Sequence, residues 1–100
     1  MRLHLVLTHH WFDEIAEGRK FVEYRAPSER WMRLIYSRRS EIIHVRFARG
    51  YTKQTMLFPV RLIDIGKCPY EGWQGNFIRI HFDDPNNRGV RSNVVPEVKE

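Results

Sequence analysis

The sequence predicts an α+β fold: a small β-barrel or strongly bent sheet of five to six strands, with two helices in the first half of the chain. Three observations predict it. Apolar residues recur at helical spacing in two windows only, both early in the chain. Short windows elsewhere alternate with the period of a strand, and the later ones follow one another through hairpin-like connections. This order is not that of a parallel βαβ array, and a bent sheet or barrel closed by helices accommodates it better.

Residues 2–7 place Leu3, Leu5 and Leu7 on one side and Arg2, His4 and Val6 on the other, as in a strand with one buried face. Thr8 suits the N-cap of a helix in which Trp11, Phe12 and Ile15 share a face away from Asp13, Glu14 and Glu17. Gly18 ends that helix where a left-handed residue costs least. Residues 21–25, rich in β-branched and aromatic side chains, read as a strand that Ala26-Pro27 breaks. Ser28 caps a second helix with Trp31, Met32, Leu34 and Ile35 at helical period and Arg30, Arg33, Arg38 and Arg39 on its other faces.

Ile43, Val45 and Phe47 next alternate with His44, Arg46 and Ala48. A connection over residues 50–55 leads to one long strand, 56–65, with Met56, Phe58, Val60 and Leu62 on one face. Its alternation changes phase at Leu62-Ile63, which predicts a bulge or bend. Pro59 confines it to an edge or to a place where the missing amide is not needed. Residues 66–76 form a turn-rich loop, and a last strand at 77–82 carries Ile78, Ile80 and Phe82 on one side. The domain is expected to span residues 1–85. Residues 86–100, polar and without periodicity, are expected to form an irregular tail.

One hundred residues allow one domain, and 42% hydrophobic content supplies a modest core. No apolar run approaches a membrane span, and the amino terminus lacks the continuous apolar stretch of a secretory signal, so a cytoplasmic location and no membrane partner are expected. A lone Cys68 excludes an internal disulfide framework and argues against a thiol-rich metal site. His9-His10 diverge at a helix start without a matching ligand set, so no metal is expected. No phosphate loop, paired catalytic carboxylates or serine-hydrolase elbow appears, and no cofactor is implied. Net charge is +5, and thirteen of the seventeen basic residues are arginine. Guanidinium groups grip phosphate and stack on bases, so RNA, single-stranded nucleic acid or a nucleotide is the indicated partner class; an ordinary solvated surface accounts for the same charge.

The chemistry gathers at residues 18–25, Gly-Arg-Lys-Phe-Val-Glu-Tyr-Arg. Strand alternation turns Glu23 and Arg25 the same way, with Phe21 beside them. Lys20, at the helix-to-strand turn, has the reach to join them. A lysine in such a cluster can act as a base, a glutamate can orient it or shuttle a proton, and an arginine can hold phosphate or polarise a carbonyl. An ordinary surface Glu–Arg pair is the alternative.

The pattern Gly-x-Lys-x-x-Glu-x-Arg directly after a short amphipathic helix resembles the signature of ASCH domains, small β-barrels of the PUA-like superfamily. The likeness runs through the helix bearing Trp31, the segment Phe47-Ala48-Arg49-Gly50-Tyr51 and the last strand at 77–82, and omits the tail. It implies a PUA-like β-barrel with a cleft for a nucleoside, nucleotide or RNA segment, lined by Lys20, Glu23 and Arg25. Some relatives deacetylate N(4)-acetylcytidine with a lysine and a threonine of this motif. Here Lys20 matches the lysine, but Glu23 stands in the threonine's place, so that nucleophile is missing. Other relatives are described as ribonucleases, and many as binding modules.

Around that cleft, His10 is a candidate rim residue, and Arg49 and Tyr51 are candidates for phosphate contact and base stacking. His44, Arg46, Arg61, Arg79 and His81 read either as a basic outer stripe or as solvated strand positions. Trp11 and Trp31 read as core from their spacing. Trp73, in a Gly-flanked loop, covers the core or closes over a ligand. Three functions are consistent with these residues: an RNA- or nucleotide-binding domain, a hydrolase on the same ligand class with Lys20, Glu23 and Arg25 catalytic, and a purely structural interaction domain.

Overall fold

Strict alternation in the first residues produces β1 (Arg2–Leu7), whose leucines are buried while Arg2, His4 and Val6 are exposed. The computed structural model describes residues 1–82 and the strand at 95–98. Thr8 ends β1 and caps α1 (His9–Ala16), its hydroxyl accepting from the amide of Trp11 at 3.4 Å. After β2 (Val22–Arg25), Ser28 caps α2 (Glu29–Leu34) in the same way, accepting from Trp31 N at 3.2 Å, and a 3-10 turn at Tyr36–Arg38 follows. The remaining strands are β3 (His44–Arg49), β4 (Gln54–Pro59), β5 (Leu62–Lys67), β6 (Asn76–His81) and β7 (Val95–Val98). No helix among the described residues is long and apolar enough to cross a membrane.

The fold is α+β, with both helices in the first half and the strands in two sheets. One sheet has the order β1-β3-β4-β7, with β1 parallel to β3 and the other pairs antiparallel; the other has the order β2-β6-β5 and is antiparallel. No ladder among the described residues joins the two sheets, so β1 and β2 are both edge strands. Between the sheets lies the core. Phe47, Phe58 and Phe82 meet at its centre with ring centroids 4.7–5.9 Å apart, and Ile15, Ile35, Val45, Ile78 and Ile80 close around them without exposure. Each such side chain contributes about 1.5–3 kcal/mol by leaving water.

The long strand expected over residues 56–65 is two strands in different sheets. Pro59 ends β4 because it has no amide to continue the ladder. The next two amides then donate to opposite sheets: Val60 N to Ile43 O at 2.9 Å, and Arg61 N to His81 O at 2.7 Å. The chain turns a corner between them, and this corner is the phase change seen in the alternation. Leu62, expected on the face of Met56 and Phe58, is accordingly exposed, and Ile63 is buried instead. Ile43 is also exposed, because it precedes β3 and its amide donates to Met1 O, while Ile42 enters the core. The tail expected over residues 86–100 lies outside the described residues except at β7, which pairs with β4 as a strand.

Candidate functional site

The turn that builds the site begins with a Schellman closure of α1. Gly18, at φ 81°, sends its amide to Ile15 O at 3.0 Å, and Arg19 sends its own to Glu14 O at 2.9 Å. The Arg19 guanidinium grips Glu14 and Glu17 on the outside of the turn, at 2.6 and 2.9 Å. Hydrogen bonding to Arg19 holds the Glu14 carboxyl below the usual carboxylate range. The chain therefore enters β2 with Lys20 already turned inward.

In β2, Glu23 lies opposite Ile80 and Arg25 opposite Ile78, two wholly buried residues of β6. Directly paired residues share a face, so Glu23 and Arg25 point between the sheets rather than to solvent. Lys20 Nζ lies 2.7 Å from Glu23 Oε1, and Arg25 Nη2 lies 3.2 Å from Glu23 Oε2. Lys20 and Glu23 are each only 5% exposed. A buried carboxylate flanked by two cations satisfies its charge and leaves the group with one net positive charge. Lys20 also stands over the Trp11 ring, its Nζ 4.1 Å from the centroid. Arg25 stacks on Trp31 at 5.2 Å and donates to Val6 O at 3.3 Å, while its Nε is a buried donor without a partner.

A cleft of about 400 Å³ opens beside this group, in the seam between the edge strands β1 and β2. Val6 and Leu7 line it from the end of β1, with Thr8 just beyond, and Glu23, Tyr24 and Arg25 from β2, with Ala26 just beyond. Its remaining walls are Trp11, Trp31, Trp73 and Phe77. Tyr70 backs these rings: it lies 4.9 Å from Trp11, 5.8 Å from Trp73 and 5.7 Å from Tyr24. Burial pushes its phenol up to about 12, so it stays neutral at physiological pH. Lys20 is not a lining residue. It contacts Glu23, and the charged residues that line the cleft are Glu23 and Arg25.

Of the six residues singled out from the sequence, Lys20, Glu23 and Arg25 converge, and the other three do not line the cleft. Arg49 is held by Asp13 through two bonds, at 2.9 and 3.0 Å, which lower the Asp13 pKa and raise that of Arg49. Tyr51 is 99% exposed beyond β3. His10 is exposed, with its ring edge-on to Trp11 at 4.6 Å. The stripe of basic residues is divided between the sheets: His44 and Arg46 adjoin Arg2 and His4 on one, while Arg79 and His81 belong to the other. There Asp64 binds Arg79 at 2.7 and 2.8 Å and His81 at 3.0 Å, and the Arg79 contact pulls the Asp64 carboxyl down to about 2.

Sequence spacing assigned Trp11 and Trp31 to the core; both are half-buried and pack against it, and each also walls the cleft. Helical periodicity reports which face turns inward, not whether a gap lies there. Trp73 did carry a signal: an aromatic between two glycines with no packing period. Compared with protein-family models, with curated proteins and with solved structures, the chain matches nothing in any of the three.

Proposed function

We propose that this protein is an RNA- or nucleotide-binding domain whose cleft receives a base between tryptophan walls and holds its polar edge with Glu23 and Arg25. One observation carries the reading: a buried Glu23 carboxylate, paired with Lys20 and Arg25, borders a cleft walled by three tryptophans and a phenylalanine. Aromatic side chains bind bases by stacking, at about 1–3 kcal/mol each. A carboxylate beside a guanidinium offers an acceptor and donors at one edge of a stacked ring. The resemblance of residues 18–25 to the ASCH signature supports the same ligand class. On this reading the two sheets are a PUA-like barrel opened at the β1–β2 seam, and the seam is the binding site.

A purely structural role calls for an exposed Glu23–Arg25 pair with no cavity beside it. Glu23 is instead 5% exposed, and the cleft adjoins it. The hydrolytic reading on the same ligands is favoured by a single contact, the 2.7 Å approach of Lys20 to Glu23, which gives a proton path from a buried ammonium to the cleft. In that version Glu23 exchanges the proton at the substrate, Lys20 acts through it, and Arg25 stabilises developing negative charge. Product formation undiminished in Lys20→Ala excludes it.

Titration with short RNAs and with the four ribonucleosides at low salt tests the binding reading. Saturable binding that weakens in Glu23→Gln and in Trp73→Ala is expected. Its absence under conditions where phosphate contacts are strongest removes the proposal.

A further inference from the structure

We propose that Arg30 holds a phosphate of the ligand whose base enters the cleft, so that the site takes a nucleotide, or a nucleotide unit of RNA, in preference to a free nucleoside. The assignment rests on the base-binding reading above and adds to it a second, anionic contact at the rim. Its starting point is Trp31, the wall residue supplied by α2. Two guanidinium groups stack on that one indole: Arg25 and Arg30 each place Cζ 5.2 Å from the ring centroid.

The two arginines differ in how their charge is met. Arg25 is ion-paired at 3.2 Å with Glu23, a carboxylate it shares with Lys20, and is largely withdrawn from water. Arg30 is exposed and makes no ion pair among the described residues. The carboxylate beside it in sequence, Glu29, approaches Arg33 instead, at 4.0 Å. Arg30 is thus an uncommitted cation held against a cleft wall. Stacking on the indole restricts its rotamers before any ligand arrives, so little entropy remains to be lost when it closes on an anion. A planar guanidinium matches the paired oxygens of a phosphate. Arg25, which lines the cleft, and Arg30, which stands outside its lining, are thus tied to the same wall indole.

The test is a tryptophan-fluorescence titration of the full chain with the four ribonucleosides and their 5′- and 3′-monophosphates at low salt. A monophosphate is expected to bind roughly tenfold more tightly than its nucleoside. Arg30→Ala is expected to erase that margin while leaving nucleoside affinity within about twofold, since the base contacts are untouched. Arg33→Ala, which removes the same charge from the same helix, is expected to preserve the margin. Equal affinity for nucleoside and monophosphate, a margin that survives Arg30→Ala, or an equal loss in both variants overturns the Arg30 assignment alone. Failure of every nucleoside and monophosphate to bind overturns the base-binding reading and the assignment with it.

Discussion

Arg25 donates through Nη2 to the backbone carbonyl of Val6 at 3.3 Å, and this bond crosses the seam between the edge strands of the two sheets. The same nitrogen lies 3.2 Å from Glu23 Oε2. One guanidinium therefore fixes the width of the cleft and the orientation of the carboxylate inside it. Lysine keeps the charge but not the fork. Arg25→Lys is expected to weaken nucleotide binding about tenfold, the value of one charge-assisted hydrogen bond, and to cost about 1–2 kcal/mol in denaturant unfolding.

Lys20 is the more demanding position for stability. Its side chain is 4% exposed and that of Glu23 6%, so the pair has little solvent to fall back on. Lys20→Met leaves Glu23 buried with Arg25 as its one counter-charge and Oε1 without its donor, and unfolding is expected at about 1–3 kcal/mol less than the parent. Lys20→Met combined with Glu23→Leu and Arg25→Met removes all three charges and is expected to recover most of that loss while abolishing ligand binding. Equal destabilisation in the single and triple variants would contradict a charge-pairing role for Lys20.

Gly18 matters because of its backbone. At φ 81° it occupies the left-handed region, where a Cβ costs about 1–2 kcal/mol. Gly18→Ala is expected to lower stability by that amount. Because Lys20 follows two residues later, the variant is also expected to weaken ligand binding, which a purely local helix-end effect would leave unchanged.

How far the sequence discloses this site depends on which physical signal is local. Thr8, Ser28 and Gly18 are legible because a cap or a left-handed turn is decided within a few residues. Glu23 and Arg25 share a face for the same reason. The corner at Val60-Arg61 showed only as a phase change, since the amides choose partners, Ile43 and His81, that are remote in the chain. Arg49 resembled a free loop cation because its partner Asp13 lies 36 residues away. The cleft itself is a property of two edge strands that fail to meet, and no spacing within either strand records that.

Asp64 gives a pH signature on the face of β5 and β6 away from the core. Its hydrogen bond to Arg79, aided by His81, lowers its carboxyl from 3.8 to about 2 in the folded protein. A depressed folded-state pKa stabilises above the unfolded value, and that stability is lost as pH falls from about 4 through about 2. Comparing unfolding of the parent and Asp64→Asn across this window is expected to show a gap that closes on acidification. Gly66→Ala acts on the same group, because a Cβ there meets the Arg79 guanidinium. It is expected to displace that side chain from Asp64 and flatten the acid limb in the same way.

Backbone and indole NMR shifts followed during titration with the four ribonucleoside 5′-monophosphates bear most directly on the central claim. The account predicts saturable shifts centred on the indole N–H groups of Trp11, Trp31 and Trp73 and on the amides of Glu23 and Arg25. No shifts at these positions, or shifts confined to the outer faces of the sheets around His44, Arg46, Arg79 and His81, would contradict it.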